Sequence, residues 1–203
     1  MKIICVGRNY GKHAKELGNP IPEKPVLFLK PDSAILRNNK PFFYPHFTKN
    51  LHYEVEVLVR TCKVGKNIAE KFASRYIGEV GLGIDFTARD LQEECKNAGL
   101  PWEISKSFDN SAAVSEFFPV TDYKSIGELN FRLDVNGKTV QNGNTRDLIF
   151  SFEKIIAYAS QFMTIKTGDI IFSGTPEGVG PLQINDHLEG YLEDKKLLDF
   201  YIK

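Results

Sequence analysis

Two glutamates stand two residues apart in the segment LHYEVEVLVR, residues 51–60. The alternation predicts a β-strand in which Glu54 and Glu56 share one face with His52, while the apolar residues share the other. Like charges at this spacing repel each other unless water screens them or a cation lies between them. The segment alone therefore leaves two interpretations open, which are a solvated strand face and a cation site.

A third acid, Asp85, ends the apolar run YIGEVGLGID directly before a predicted helix. Ligands of a site commonly gather at strand ends, so Asp85 is a candidate to join Glu54 and Glu56. Three oxygen ligands would favour a hard cation, with Mg²⁺ first and Mn²⁺ or Ca²⁺ next. The simpler alternative is that the carboxylate of Asp85 only interacts favourably with the helix dipole.

The segment GRNYGKHAKELG, residues 7–18, predicts a short helix in which His13 and Glu16 lie at positions i and i+3. At this spacing the carboxylate can orient the imidazole and stabilise its charge. Histidine is the side chain whose ordinary pKa suits proton abstraction near neutral pH. The pair is a candidate general-base dyad, and the alternative is an exposed helix with no such role.

Basic and amide side chains follow the acids along the chain. Arg89 and Gln92 lie one helical turn apart, and Lys106 follows the break at Pro101 and Trp102. Cations close to a metal site could bind a carboxylate substrate. Lys30, at the end of VLFLK, is a further candidate of this kind. Each could instead be a surface residue with a partly buried stem.

Composition restricts the class of protein. The chain has 203 residues, 42% of them hydrophobic, and its 26 Lys and Arg balance its 26 Asp and Glu. This predicts one domain with a substantial core and no net field that would attract nucleic acid or an anionic membrane. The early apolar run Ile3 to Val6 is too short for a signal-peptide core, so we expect a cytoplasmic protein.

Cysteine usage and glycine-rich stretches exclude further classes. Cys5, Cys62 and Cys95 are odd in number and form no CxxC pair, which predicts buried or inert thiols and no disulfide framework or structural zinc. The stretch FSGTPEGVG lacks the Lys-Ser/Thr of a P-loop, and GEVGLGID lacks the order of a dinucleotide fingerprint. No GxSxG motif indicates a nucleophilic serine.

Short strands dominate the predicted elements. Asn136-Gly137 predicts a hairpin through a type I′ turn. The predicted strands are KIICVG, KPVLFLK, YEVEVLVR, YIGEVGLGIDF, ELNFRLDVNGKTVQ, GDIIFSG and KLLDFYIK. The predicted fold class is α+β and rich in strands.

Three helices have local signals. Asn67 with Glu70, and Thr87 with Asp90, predict capped helix starts, and Gly99 predicts the end of the second helix. The third helix, SFEKIIAYASQFM, is predicted to pack on a sheet through one apolar stripe, formed by Phe152, Ile155, Ile156, Ala159, Phe162 and Met163.

Together these segments resemble the fumarylacetoacetate hydrolase family, in particular its short single-domain members that act on acylpyruvates and oxaloacetate. The segments that carry the resemblance keep the family's order and spacing over nearly the whole chain. They are GRNYGKHAKE, PVLFLKP, NLHYEVEVLV, GIDFTARDLQEECKNAGLPWEISKSFD and GDIIFSGTPEGVGP. The resemblance implies one catalytic domain over residues 1–203, built as a mixed β-roll or β-sandwich with a few short helices, and a homodimer.

The resemblance also implies roles for individual residues. Glu54, Glu56 and Asp85 match the ligands of Mg²⁺ or Mn²⁺, a site that in crystals would also accept Ca²⁺. Lys106 matches a residue beside the metal that contacts substrate oxygens. His13 and Glu16 match a catalytic dyad on a lid helix within residues 7–18. Arg89 and Gln92 match residues that line the pocket, and Thr175 matches a position that holds the substrate carboxylate.

The activity implied first is metal-dependent C–C bond hydrolysis of an acylpyruvate to pyruvate and a carboxylic acid. The same metal-enolate site would serve oxaloacetate decarboxylation or keto-enol tautomerisation, or isomerisation of 2-hydroxyhepta-2,4-diene-1,7-dioate. A non-enzyme alternative is a calcium-braced binding module, but such a module needs neither a base nor a substrate clamp. The absence of the extra N-terminal domain of fumarylacetoacetase makes fumarylacetoacetate a less suitable substrate.

Overall fold

The structure is a computed structural model that describes residues 1–16, 18 and 20–203. It is a strand-rich α+β fold, as the sequence predicts. The strands are β1 Ile3–Gly7, β2 Val26–Lys30, β3 Ile35–Leu36, β4 Leu51–Tyr53, β5 Val55–Thr61, β6 Ile77–Asp85, β7 Thr87–Ala88, β8 Ala112–Val114, β9 Phe118–Pro119, β10 Asn130–Val135, β11 Lys138–Asn144, β12 Ile170–Phe172, β13 Gly180–Pro181, β14 His187–Leu192 and β15 Lys195–Tyr201.

The helices are few and short. They are α1 Gly11–Glu16, α2 Glu70–Ala73, α3 Arg89–Ala98, α4 Glu103–Lys106 and α5 Phe152–Phe162. Short 3-10 turns lie at Asp32–Ala34, Ser74–Tyr76, Val120–Asp122, Ile126–Glu128 and Thr145–Asp147. Among the described residues, no helix has the length and apolar character needed to cross a bilayer.

An eight-stranded mixed sheet positions most of the site. Its order is β2-β1-β12-β5-β6-β8-β3, with β9 paired to β6. The pairs β1 with β12 and β3 with β8 are parallel, and the others are antiparallel. Strands β5 and β6 lie side by side in the middle of this sheet, so side chains at their ends are held on both sides.

Two smaller sheets complete the fold. The four-stranded sheet β11-β10-β14-β15 packs across the large sheet, with β10 against β5, and β14 and β15 against β6. Leu82, Leu133 and Leu198 are fully or almost fully buried in the core between them. Gly190 lets the sheets approach closely, because a Cβ there would lie 2.9 Å from Leu82 Cδ2. A three-stranded sheet, β13-β4-β7, lies at the edge of the site.

The predicted hairpin at Asn136-Gly137 is confirmed. These residues connect β10 to β11 with positive φ angles of 53° and 75°. A type I′ turn requires positive φ at both central residues, which Asn and Gly adopt more readily than other residues.

The predicted helix caps at Asn67 and Thr87 are wrong. Helix α2 begins only at Glu70, and Asn67 has a φ of 52° with its amide donating to Ser160 O. Thr87 lies in β7, and no side chain caps the start of α3. In both places a long-range backbone contact replaces the local cap. The predicted end of α3 at Gly99 is confirmed, with a left-handed φ of 65°.

The third predicted helix is α5, capped by the side chain of Ser151. Four residues of the predicted stripe are buried: Phe152, Ile155, Ile156 and Ala159. Phe162, which was predicted on the same stripe, is 62% exposed, because it lies at the end of the helix beyond the packed turns.

The cysteine prediction is correct for two of the three residues. Cys5 and Cys95 are buried free thiols, whereas Cys62 is exposed. Cys62 directly follows β5, outside the part of the strand that the sheet covers.

Candidate functional site

The predicted strand over residues 51–60 is two strands, and Glu54 lies where they meet. Strand β4 pairs with β7 and β13, whereas β5 pairs with β6 and β12. The chain therefore passes from the three-stranded sheet to the large sheet at Glu54. Its carbonyl accepts a hydrogen bond of 2.8 Å from the amide of Asp85, the last residue of β6.

This pairing brings the three predicted acids together. Carboxylate oxygens of Glu54, Glu56 and Asp85 all lie within 4.8 Å of one another. The three residues are 5%, 3% and 1% exposed. They do not lie on a solvated strand face, so the alternative of screening by water is wrong.

Two basic side chains compensate part of the negative charge. Lys106 Nζ, at the end of α4, donates to Glu54 Oε2 at 2.7 Å and to Asp85 Oδ2 at 2.8 Å. Arg89 Nη2, at the start of α3, donates to Glu54 Oε1 at 2.7 Å, and its Nη1 donates to Gln92 Oε1 at 2.7 Å. Arg89, Gln92 and Lys106 thus meet at the acids as the sequence indicates.

The pKa values of the glutamates shift in opposite directions. Burial alone would raise the pKa of Glu54, but the ammonium of Lys106 and the guanidinium of Arg89 outweigh it and hold that pKa well below its usual range. The pKa of Glu56 is raised well above its ordinary value, first by burial and then by the charges of Asp85 and Glu54. Glu56 is therefore the acid of the three for which the described residues provide no ion pair.

Lys30 does not bind substrate, contrary to the sequence-based hypothesis. Its side chain is fully buried, and Nζ donates to Ser111 O at 3.1 Å, to Ser111 Oγ at 3.0 Å and to Lys106 O. Nζ also lies 2.8 Å from Asp85 Oδ1 as an ion pair. All its donor capacity is used inside the protein, so Lys30 braces Asp85 and the backbone of Lys106.

The three acids fit a divalent cation. Asp85 Oδ1 is buried without a hydrogen-bond donor in the described part of the chain, since the contact with Lys30 has ion-pair distance but not hydrogen-bond geometry. Glu56 Oε2 accepts a hydrogen bond from the Gly174 amide at 2.6 Å. Three clustered carboxylates, one of which has an oxygen that accepts no hydrogen bond from the described residues, provide the hard ligands that Mg²⁺ and Mn²⁺ prefer.

The predicted dyad lies in the same cleft. His13 Nδ1 is 3.2 Å from Glu16 Oε2, and His13 is 5% exposed. Helix α1, which carries both, covers residues 11–16 of the predicted 7–18, and position 17 lies outside the described residues. Glu16 also accepts the amide of Gly178 at 3.1 Å, which ties α1 to the loop after β12.

Thr175 lies in that loop and lines the cleft. Its hydroxyl donates to Val55 O at 2.8 Å and accepts from Gln141 Nε2 at 2.8 Å. These two hydrogen bonds fix the position of Oγ1 at the wall of the cleft and leave one lone pair for a further donor. Gln141 has no signal in the sequence, because its role depends on a strand that is distant along the chain.

The cleft also contains residues that the sequence-based interpretation missed. Its lining includes Arg8, Phe28, Lys96 and Trp102 besides the predicted acids, His13 of the dyad and the predicted α3 residues. One signal was present for Lys96, which follows Gln92 by four residues and so lies on the same helix face. Another was present for Arg8, which lies within the segment GRNYG at the start of the dyad helix.

Comparisons with known proteins agree with this geometry. The family model fumarylacetoacetate (FAA) hydrolase C-terminal matches residues 2–203. The oxaloacetate tautomerase FAHD1, mitochondrial, of Mus musculus is 43% identical over 201 residues, which cover 99% of this chain and 91% of the relative. The oxaloacetate tautomerase YcgM of Escherichia coli (strain K12) is 42% identical over 188 residues, covering 92% of this chain and 86% of the relative.

A solved crystal structure has nearly the same fold as this chain. The crystal structure of fumarylpyruvate hydrolase from Pseudomonas aeruginosa, in complex with Mn²⁺ and pyruvate, superposes with a TM-score of 0.95. Its sequence is 33% identical, and the match covers 100% of this chain and 89% of that one. With a family model that spans almost every residue, the chain belongs to the fumarylacetoacetate hydrolase family of divalent-metal-dependent enzymes.

Proposed function

We propose that this protein is an oxaloacetate tautomerase, which interconverts the enol and keto forms of oxaloacetate. The observation that carries the proposal is that His13, which Glu16 contacts, lines the same cleft as the three clustered acids. Relatives that are 42–43% identical are oxaloacetate tautomerases. The resemblance in the sequence implies acylpyruvate hydrolysis first and this tautomerisation as an alternative. The relatives support the alternative more than the hydrolysis.

Tautomerisation moves one proton between C3 and the C2 oxygen of the substrate. In the keto-to-enol direction His13 would take the C3 proton, which leaves an enolate, and the imidazolium would then give that proton to the C2 oxygen. Glu16 would hold the imidazole and stabilise the imidazolium between the two transfers. Lys106 and Arg89 are ion-paired with the acids, but each keeps an N–H group without an acceptor among the described residues, and these groups would donate to the C1 carboxylate of the substrate. Glu54, Glu56 and Asp85 would hold a divalent cation, and the chemistry that this cation would supply is Lewis-acid stabilisation of the negative charge that develops on the substrate.

Hydrolysis of an acylpyruvate is the second candidate. It is supported by the similarity to fumarylpyruvate hydrolase, whose structure contains Mn²⁺ and pyruvate. In that reaction His13 would take a proton from water, which attacks the distal carbonyl group. Decarboxylation of oxaloacetate and isomerisation of an unsaturated dioic acid would use the same residues of the cleft. The decarboxylation is measured as release of pyruvate from oxaloacetate.

The test is a set of parallel assays with Mg²⁺ and with a chelator. Enol oxaloacetate loss is followed by ultraviolet absorbance, and pyruvate release is followed from oxaloacetate and from short acylpyruvates. We expect rapid, metal-dependent tautomerisation that His13→Gln slows by about 10²- to 10⁴-fold. His46→Gln is the matched control, because His46 is exposed and outside the cleft.

Two results would contradict the proposal. One is a tautomerisation rate no greater than that of Mg²⁺ in buffer. The other is a rate that His13→Gln leaves unchanged. Efficient pyruvate release from an acylpyruvate without tautomerisation would favour the hydrolase instead.

Three further sequence-based expectations stay predictions. Mg²⁺ is the expected ion, and comparison of Mg²⁺, Mn²⁺ and Ca²⁺ in the same assay tests it. A homodimer without nucleic-acid or membrane partners is expected, and light scattering measures the oligomeric mass. A cytoplasmic location is expected for this protein, whereas the FAHD1 relatives are mitochondrial.

A further inference from the structure

Arg8 has an unusual backbone conformation. Its φ is 60°, in the left-handed region that residues other than glycine rarely adopt. The segments on both sides hold it there. Gly7 pairs with Val26 in the large sheet, and the buried Asn9 side chain donates to Phe150 O and Ser173 O and accepts the Phe150 amide. Such strain is retained mainly at functional sites.

The Arg8 side chain points into the candidate cleft. The guanidinium carbon lies 5.9 Å from the centre of the Trp102 ring, and both residues line the cleft with the three acids. An aromatic face supports a guanidinium by a cation–π contact and leaves its N–H edge free to bind an anion.

Lys96 approaches the same space from α3. Arg89, Gln92 and Lys96 occupy positions i, i+3 and i+7, so they lie along one face of the helix. Burial, followed by the nearby charges of Arg8 and Arg89, lowers the pKa of Lys96. Two cations from distant parts of the chain, the half-buried Arg8 and the exposed Lys96, therefore line the same cleft.

These two cations differ from the other cations of the cleft. Lys106 and Arg89 are neutralised by Glu54 and Asp85 at 2.7–2.8 Å. Over residues 1–16, 18 and 20–203, no carboxylate forms an ion pair with Arg8 or Lys96. The carboxylates of Glu93 and Glu54 raise the pKa of Lys96 only from beyond ion-pair distance. Cations that lack an ion-paired carboxylate favour binding of an anion from solution.

We propose that Arg8 and Lys96 form a second anion subsite, which binds the distal carboxylate of a 2-oxo dicarboxylate. This inference rests on the proposed function and names the substrate class of that site. The 2-oxo acid end lies at the acids, and the C4 carboxylate meets the guanidinium of Arg8 on its Trp102 support. The subsite makes the enzyme select oxaloacetate over 2-oxo acids that lack a distal carboxylate.

Oxaloacetate and pyruvate are matched ligands for the test, because pyruvate lacks only the C4 carboxylate. Calorimetry with Mg²⁺ gives an apparent Kd for each ligand at keto–enol equilibrium, and pyruvate released during the titration is measured so that the oxaloacetate concentration is corrected. The wild type should bind oxaloacetate more tightly than pyruvate. Arg8→Gln should weaken oxaloacetate binding about 10- to 100-fold, as expected for loss of a charge-assisted hydrogen bond, and should leave pyruvate binding within about 3-fold.

Kinetics and stability separate a binding role from a structural one. If Arg8 binds the distal carboxylate equally in ground and transition states, its variants raise KM for oxaloacetate with little change in kcat. Arg8→Gly should raise KM as Arg8→Gln does and leave Tm unchanged, because glycine adopts a φ of 60° without strain. Lys96→Gln should give a smaller rise, since Lys96 is more exposed.

The matched control is Arg75→Gln. Arg75 is exposed, and its guanidinium carbon lies 4.8 Å from the centre of the Phe72 ring, so it makes the same kind of aromatic contact outside the cleft. Unchanged selectivity for oxaloacetate over pyruvate in Arg8→Gln would overturn the subsite. No tautomerisation by the wild type would overturn only the proposed function, because the binding comparison would still decide the subsite.

Discussion

Replacing Lys30 by Met tests whether the buried charges of the site balance one another. Methionine has similar length and apolar character, so the change removes mainly the ammonium group. The variant leaves Asp85 without one of its two cationic neighbours and removes three donated hydrogen bonds. Ser111 O keeps the amide of Phe86 as a donor and Lys106 O keeps the hydroxyl of Ser111, whereas Ser111 Oγ loses the donor that the described residues provide. Lys106 then remains as the cation that contacts Asp85 Oδ2.

The expected loss is large because both partners are buried. Removing one partner of a buried ion pair costs about 3–5 kcal/mol in the free energy of unfolding. For a domain of about 200 residues, each kcal/mol lowers Tm by about 2–4 °C, so Tm should fall by about 6–20 °C in the presence of a chelator. The site also becomes more negative, so Mg²⁺ should raise the Tm of Lys30→Met by more than it raises that of the wild type.

Differential scanning calorimetry with chelator and with Mg²⁺ measures both effects. Lys40→Met is the matched control, because Lys40 is exposed and its replacement should change stability by less than about 0.5 kcal/mol. If Lys30→Met expresses poorly, Lys30→Gln replaces it, because glutamine keeps a polar donor. Mg²⁺ should raise the Tm of Lys30→Gln by more than it raises the Tm of the wild type. A Tm like that of the wild type, or a smaller gain from Mg²⁺ in the variant, would refute the reasoning.

Three other substitutions test packing, backbone conformation and thiol exposure. Gly174→Ala should lower the free energy of unfolding, measured by urea denaturation, by at least about 2 kcal/mol. The reason is that φ of Gly174 is 103° and a Cβ there would lie 2.7 Å from Asn9 Cβ. An unchanged free energy of unfolding would contradict this geometry. Gly99→Ala should cost only about 1 kcal/mol in the same assay, because its φ is 65° but no atom lies within 4 Å of the new Cβ. In the native protein a thiol reagent should modify Cys62 first, and Cys62→Ser should remove the fast phase; a fast phase that persists would show another cysteine to be exposed.

The sequence predicted features that depend on neighbouring residues. The Asn136-Gly137 hairpin and the end of α3 at Gly99 follow from backbone preferences of those residues. The His13–Glu16 contact follows from helical spacing. The helix start at Asn67 was predicted wrongly by the same local rules, because its backbone amide bonds to Ser160 of α5 instead.

For the site, composition and motif order identified residues but not their surroundings. The sequence left open whether Glu54 and Glu56 face water, and burial by the strands and helices around them decided this. Lys30 and Lys106 looked equivalent as candidate substrate-binding cations. The structure separates them, since Lys30 is enclosed by backbone acceptors whereas Lys106 lines the cleft between two acids.

The amino-acid sequence by itself determined the spacing of the two glutamates, the dyad and the strand-rich fold class, because alternation and turn preferences act over a few residues. Only the tertiary structure decided that Asp85 meets Glu54 and that Arg8 and Lys96 line one cleft, where no carboxylate in the described part of the chain forms an ion pair with either. Strand register and the balance of buried charges depend on contacts between segments far apart in the chain. Local sequence patterns cannot fix those contacts.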